Sequence, residues 1–216
     1  MIAKAPVAGD AKTRLAQVVG PRQAAHIAAI ALIDTLRVAG DVFDARILAM
    51  AGRLSAAEDA SAVAEECRRW TVIGQRGVSL SARLANAHRS AARAVSGSPV
   101  LQIGMDTPQL TANLLAGSAA TLATGRVDAV LGPAEDGGWW ALGVRDPSLA
   151  AVLHGVPMSH PDTAALTLRA LHHAGARVEM LPMLRDVDTW ADAIAVAALA
   201  PDTDFADAVG GQLVRM

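Results

Sequence analysis

With 216 residues, 52% of them apolar and 19% charged, the chain is long enough for one substantial core and too apolar for a disordered segment. A net charge of -2, 3% aromatics and no tyrosine leave no basic surface with interleaved aromatics, which argues against a general nucleic-acid partner. The single cysteine, Cys67, excludes an intramolecular disulfide and a cysteine-rich zinc site, and no apolar run is long enough for membrane insertion. Residues 1–6 lack the apolar run of a signal peptide, so the expected compartment is the cytoplasm.

In chain order, the pattern predicts a short strand over 1–4, a Pro/Gly loop through Gly9 and a helix over 22–37. In that helix Ile27, Ile30, Ile33 and Leu36 recur at helical spacing, and Gly40 marks its stop. A strand over 43–50, an alanine-rich helix over 56–68 and a short strand over 71–73 follow. The next helix, over 80–95, is ended by Gly97-Ser98-Pro99, and a strand over 100–103 runs into Gly104-Met105-Asp106-Thr107-Pro108. After it come a helix over 111–124, a strand over 127–131, a polar loop over 133–138 and a strand over 139–144. The series closes with a helix over 164–173, a strand over 178–181, a turn or cap at Asp188-Thr189 and a helix over 190–200. Residues 1–200 read as a single domain and 201–216 as a loosely packed tail.

Helices alternating with short apolar strands predict an α/β protein, three-layer α/β/α with a mostly parallel central sheet. Ligands of such sheets sit beyond the carboxyl ends of the strands, which singles out the segments after Lys4, Gly74, Ile103, Leu131 and Leu181. The first, Lys4-Ala5-Pro6-Val7-Ala8-Gly9-Asp10-Ala11-Lys12-Thr13-Arg14-Leu15, concentrates three cations and a glycine. Gly9 permits a close backbone turn with exposed amides, Lys12 brings a mobile charge, and Arg14 brings a fork matched to phosphate oxygens. The GxxxxGK[ST] pattern of a P-loop is absent, and a solvated basic loop would have the same composition.

Asp106 follows a buried-looking strand. There a carboxylate could share Mg2+ or Mn2+ with phosphate oxygens, or simply hold a turn or helix cap. Glu135 and Asp136 beside Gly137 and Gly138 suggest backbone approaching a substrate, with a tight turn as the alternative. Asp186 and Asp188 precede a helix and either stabilise its terminus or join a metal site. Three acidic clusters after three strands favour a hard-cation site. Most of the six histidines read as structural or solvent-facing, while His154 and His160 flank a segment that could close over an acceptor.

These same motifs carry a resemblance. Lys4-Ala5-Pro6 with Gly9 and Lys12-Thr13-Arg14-Leu15, Gly104-Met105-Asp106-Thr107-Pro108-Gln109-Leu110-Thr111, the Gly132 to Trp140 segment and Asp186-Val187-Asp188-Thr189 occur in order. In this the chain resembles bacterial proteins of the nucleotide-diphospho-sugar transferase (GT-A-like) fold, known as glycosyltransferases or as a family of unknown function. That group is distantly similar to the molybdenum-cofactor and phospholactate guanylyltransferases.

The resemblance implies that Lys4, Pro6, Gly9, Lys12, Thr13 and Arg14 bind nucleotide, with Gln75 against the base. It implies that Asp106 and Asp188 hold Mg2+ or Mn2+, and that Lys12, Arg14, Asp106 and Asp136 carry catalysis. Glu135, Asp136, Gly137, Gly138 and Trp139 would shape the acceptor side. The partners implied are a nucleoside triphosphate or nucleotide-sugar and a small-molecule acceptor, with homodimerisation open. Nucleotidyl transfer to a phosphorylated acceptor is the leading activity and glycosyl transfer the alternative; a non-catalytic nucleotide-binding or scaffold protein is the reading outside enzymes. Three departures stand out: a shorter first strand before Lys4, Ser81 where a glycine is expected, and Trp139 for the usual tyrosine. The last keeps stacking and loses a phenol hydroxyl.

Overall fold

The computed structural model describes residues 1–95 and 98–215, so the helix stop expected at Gly97 and the final tail residue, Met216, lie outside the described residues. In chain order the elements are β1 (Ile2–Lys4), α1 (Thr13–Val19), α2 (Pro21–Val42), β2 (Ile47–Ala51), α3 (Ala60–Cys67), β3 (Thr71–Gly74) and α4 (Leu80–Ala94). They continue with β4 (Val100–Ile103), α5 (Ala112–Ala123), β5 (Ala129–Pro133), β6 (Trp139–Val144), a 3-10 stretch (Pro147–Gly155) and α6 (Thr163–His173). The last are β7 (Val178–Met180), α7 (Trp190–Leu199) and α8 (Asp204–Leu213). Backbone contacts group them into two compact units. The first comprises Met1–Ile2, Gly74–Gly104 and Asn113–Leu184; the second comprises Ala3–Ile73, Met105–Ala112 and Arg185–Met216.

In the second unit the strands lie in the order β1-β2-β3. The Ala5 N–H donates to the Ala51 carbonyl (2.8 Å) where β1 and β2 both end. The Thr71 N–H donates to the Arg46 carbonyl (2.9 Å) where β2 and β3 both begin, so neighbours run parallel. Helix α2 starts with Pro21 at its first position, where a missing N–H costs nothing. It passes straight through Gly40, the expected stop. A lone glycine costs about 1 kcal/mol and does not by itself end a helix, and Gly40 is itself buried on the face that Leu36 and Ala39 lead into. The following strand is thereby delayed to Ile47, and Phe43 caps the helix in extended backbone.

Leu15 of α1 and Ala24, Ile27 and Ala31 of α2 form one core cluster with Val187, Ala193 and Val196, and with Phe205 and Val209 of α8. The stretch read as a loosely packed tail therefore contains a docked helix. Phe205 and Val209, one turn apart, are fully buried, and Thr203 caps the helix by accepting from the Ala206 N–H at 3.1 Å. The Asp34 carboxylate of α2 accepts from the Phe205 N–H (2.8 Å), and Arg37 bridges Glu66 of α3 (2.7 Å) and Asp204 (2.5 Å).

The first unit holds a four-stranded mixed sheet in the order β4-β6-β5-β7. Strand β6 runs antiparallel to β4 (Val100 opposite Val144) and to β5 (Ala129 opposite Val144), whereas β5 and β7 are parallel. Its core gathers Leu84 of α4, Leu131, Leu142, Leu153 of the 3-10 stretch and Leu171 of α6. Trp140 is buried to 1% exposure, and its indole N–H donates to the Pro182 carbonyl at 2.9 Å. The ring packs against Gly132, where a Cβ would fall 2.4 Å from Trp140 Cε2, so only glycine admits it. Among the described residues no helix is long and apolar enough to cross a membrane.

His88 of α4 is fully buried, and neither ring nitrogen has a hydrogen-bond partner. Burial pushes its imidazole down to about 3. In the unfolded chain an ordinary imidazole takes up a proton near pH 6.5, so stability is complete above that pH and erodes as pH falls toward 3. His88→Leu is expected to flatten this erosion, which runs up to about 1.4 kcal/mol per pH unit in the wild type. Urea midpoints at pH 7 and 4.5 for both proteins check it; parallel losses would refute the assignment to His88.

Candidate active site

The loop leaving β1 carries the first functional residues. Gly9 adopts a left-handed backbone (φ 86°), and the Val7 carbonyl accepts from the Asp10 and Ala11 N–H groups, each at 3.0 Å. The Asp10 and Ala11 amides are thus committed within the turn, as is the Val7 N–H to the Ala5 carbonyl (2.9 Å). The Lys4 ammonium donates to the Asp10 carbonyl (2.7 Å). Lys12 then sits at φ 49°, ψ 51° and begins α1. A lysine in left-handed backbone costs about 1 kcal/mol or more, so surrounding contacts must hold it there.

Those contacts are two carboxylates. Lys12 Nζ lies 2.8 Å from Asp106 Oδ2 and 2.9 Å from Asp188 Oδ1, and Arg14 Nη2 takes the other oxygen of Asp188 at 2.6 Å. Asp106 lies well ahead of α5, so it is not that helix's cap. Its carbonyl accepts from the Val187 N–H (3.0 Å), joining the two aspartate-bearing loops. Gln109 adds a second tie by donating from Nε2 to the Arg185 carbonyl at 2.7 Å. Helix α7 is capped by Thr189, whose hydroxyl accepts from the Asp192 N–H (3.2 Å) while Asp192 Oδ2 accepts from the Thr189 N–H (2.9 Å). This reciprocal box satisfies the helix start and leaves the Asp188 carboxylate to Lys12 and Arg14. The Thr-x-x-Asp spacing was the available signal for it, whereas Gln109 stood in the 104–111 motif with no role assigned to it.

Burial works against the charged form of Lys12, whose side chain is 11% exposed, but the charges and hydrogen bonds of Asp106 and Asp188 outweigh it and raise the ammonium above the usual lysine range. For Asp188 burial pulls upward, while Lys12 and then Arg14 prevail and hold the carboxyl below the usual range. The contribution of Lys12 is complete below the ordinary lysine pKa and is lost as pH rises from there through its raised value; that of Asp188 is complete above the ordinary aspartate pKa and is lost as pH falls through its lowered one. Lys12 and Asp188 are therefore both charged throughout the neutral range.

A cleft of about 230 Å³ is lined by Lys4, Asp10, Lys12, Thr13, Arg14, Met105, Asp106 and Asp188. Lys4, Lys12, Thr13, Arg14, Asp106 and Asp188 thus come together, with Pro6 and Gly9 in the loop that builds one wall. Among the described residues no three His, Cys, Asp or Glu side chains cluster to hold a metal by themselves. Two carboxylates converging on one point are the donor set that suits Mg2+ or Mn2+ shared with phosphate oxygens, so Asp106 and Asp188 fit such an ion.

The remaining sequence-predicted residues belong to the first unit. Gln75 follows β3 directly. Glu135 and Asp136 are exposed, and Asp136 Oδ1 accepts from the Gly138 N–H (2.8 Å), making the tight turn one reading of the sequence allowed. Gly137 packs against Pro161, and its carbonyl accepts from the Ala164 N–H (2.8 Å), so the turn is seated on the start of α6. Trp139 is half-buried against the core of this unit.

The chain is similar to a candidate nucleotide-diphospho-sugar transferase from Desulfovibrio desulfuricans G20, at 24% identity over 99% of this chain and 93% of that one, with a TM-score of 0.82. It is similar to a nucleotidyl transferase from Methanothermobacter at 15% identity, covering 93% and 98% of the two chains with a TM-score of 0.55. A CMP:2-keto-3-deoxy-manno-octonic acid synthetase complexed with CTP matches at 14% identity over 93% and 97%, with a TM-score of 0.53. No curated protein matches the chain in sequence. The architecture is that of the nucleotide-diphospho-sugar transferase fold, here with a basic loop and two aspartates in one cleft. Within it the chain belongs to DUF2064, a family of uncharacterized proteins conserved in bacteria, whose pattern matches residues 32–160 and so includes Asp106 and the turn at 135–138.

Proposed function

We propose that the chain is a metal-dependent transferase that moves a nucleotidyl group from a nucleoside triphosphate to a small phosphorylated acceptor. The observation that carries this reading is the convergence of Lys12, Arg14, Asp106 and Asp188 in one cleft beyond the carboxyl end of β1. The shared fold of nucleotidyl transferases supports it. An acceptor phosphate oxygen attacks the α-phosphorus, a new P–O bond forms, and the bond to pyrophosphate breaks. Lys12 and Arg14 bind phosphate oxygens and neutralise charge on the leaving pyrophosphate. Asp106 and Asp188 would hold Mg2+ or Mn2+, which when bound supplies further neutralisation at those oxygens. Positioning and electrostatics suffice, and no protein nucleophile enters. Gln75 toward the base, and Glu135, Asp136, Gly137, Gly138 and Trp139 toward the acceptor, complete the assignment, with the cytoplasm as its compartment.

Glycosyl transfer from a nucleotide-sugar is the second reading, favoured by the likeness to a candidate nucleotide-diphospho-sugar transferase. The two separate by product. Each of ATP, CTP, GTP and UTP is incubated with Mg2+ and a panel of phosphorylated sugars and alcohols, and pyrophosphate and nucleotidylated product are read by mass spectrometry. Pyrophosphate released in step with product is expected. Turnover confined to nucleotide-sugars would replace nucleotidyl by glycosyl transfer, and turnover of neither would overturn both.

A further inference from the structure

We propose that Lys12 is the resident cation of the Asp106–Asp188 pair, so that the cleft takes a divalent cation together with nucleotide phosphates and excludes the bare ion. The inference rests on the metal and nucleotide reading above and deepens it by naming the form of ligand selected. Three observations carry it. Lys12 Nζ contacts one oxygen of each aspartate, at 2.8 and 2.9 Å, and so occupies the point on which both carboxylates converge. The second Asp188 oxygen is held by Arg14 at 2.6 Å, so two cations face two anions and the quartet carries no net charge. The two loops are tied by the Val187 N–H to Asp106 carbonyl bond, so the carboxylates do not part to make room for a second cation beside the first.

A bare divalent ion entering this quartet meets an ammonium already in place and gains no new anion. A nucleotide brings negative phosphates, which give Lys12 and Arg14 partners of their own and release the carboxylates to the metal. Cation and polyanion then enter as a unit, and each raises the affinity for the other. Lys12 is in this view both a phosphate ligand and the group that couples nucleotide binding to metal binding.

The test measures MnCl2 binding by electron paramagnetic resonance of the free ion, with and without each of ATP, CTP, GTP and UTP. Wild type is expected to bind bare Mn2+ weakly and to tighten by about tenfold or more with the cognate triphosphate. Lys12→Met is expected to bind bare Mn2+ about tenfold more tightly than wild type and to lose the coupling. Adding Asp106→Asn to that variant should abolish the gain. If Lys12→Met folds poorly, Lys12→Gln serves, with Mn2+ expected to raise its Tm and leave that of wild type unmoved. Bare-ion affinity no higher in either lysine variant, while wild type binds Mn2+ with nucleotide, would overturn the proposal and spare the functional reading. A gain that survives Asp106→Asn would also overturn it, by placing the ion elsewhere. Failure of wild type to bind Mn2+ in the presence of any of the four triphosphates would overturn the functional reading itself.

Discussion

Asp106→Asn is expected to lower metal-dependent turnover by more than about 100-fold while the protein melts within a few degrees of wild type. The two side chains have the same shape, so the loop from Met105 to Ala112 keeps its backbone ties to Val187 and, through Gln109, to Arg185. Lys12 retains Asp188 at 2.9 Å, which keeps the ammonium paired. What disappears is one of two negative charges at the point of convergence. Changing even an outer partner of a metal ligand costs about 10–100-fold, so removing charge from a ligand itself exceeds that range. Product formation at saturating Mg2+ and a thermal melt on the same preparation check it. Activity within tenfold of wild type at unchanged stability would remove Asp106 from the mechanism.

Gly137→Ala carries the largest expected effect on stability. The residue sits at φ 88°, and a Cβ there would fall 1.8 Å from the Pro161 carbonyl oxygen and 2.6 Å from its Cα. All the colliding atoms are backbone, so no rotamer change relieves the clash. The turn is also fixed at both ends, by the Gly137 N–H to Ala134 (3.0 Å) and the Ala164 N–H to Gly137 (2.8 Å). Left-handed strain and overpacking together amount to about 3 kcal/mol or more, a Tm loss of about 6–12 °C for a chain of this length. Gly138→Ala is the internal control. Its Cβ would meet only the Asp136 carboxylate oxygen, at 2.9 Å, and that side-chain end can swing away. Calorimetry should therefore rank the two variants far apart. Equal melting temperatures would mean that the Gly137 turn is not seated on Pro161.

Much of the cleft was legible because its residues follow strand ends, and strand ends are marked in sequence by short apolar runs giving way to glycine, proline and charge. Lys12, Arg14, Asp106 and Asp188 were each ambiguous alone: a basic loop, a turn aspartate and a helix-cap aspartate have the same local composition as a binding site. The ambiguity of Asp188 is resolved by a neighbour, since Thr189 and Asp192 cap α7 reciprocally and free the aspartate for the cleft. A glycine predicts a turn without predicting that the Val7 carbonyl absorbs two of the loop's donors, the Asp10 and Ala11 N–H groups.

Helix α1 escaped notice because it is seven residues long, buries only Leu15 and begins from a left-handed lysine that no propensity favours. Helix α8 rests on two buried side chains, Phe205 and Val209, in a stretch otherwise rich in Asp, Gly and Ala. Its stability comes from the docking partner rather than from its own sequence. The direction of β6 was likewise not encoded locally, since alternation fixes which face a residue takes and not which way the strand runs.

The most direct measurement of whether this cleft binds nucleotide phosphates and metal together is a thermal-shift panel. It would set nucleoside triphosphates, diphosphates, UDP-sugars and GDP-sugars against the wild-type protein, with and without Mg2+ or Mn2+. A ligand that binds only the native state raises its Tm by mass action. A Tm rise with one nucleotide that requires the metal is the result expected here. A panel in which no nucleotide shifts the melt, with or without metal, would contradict it.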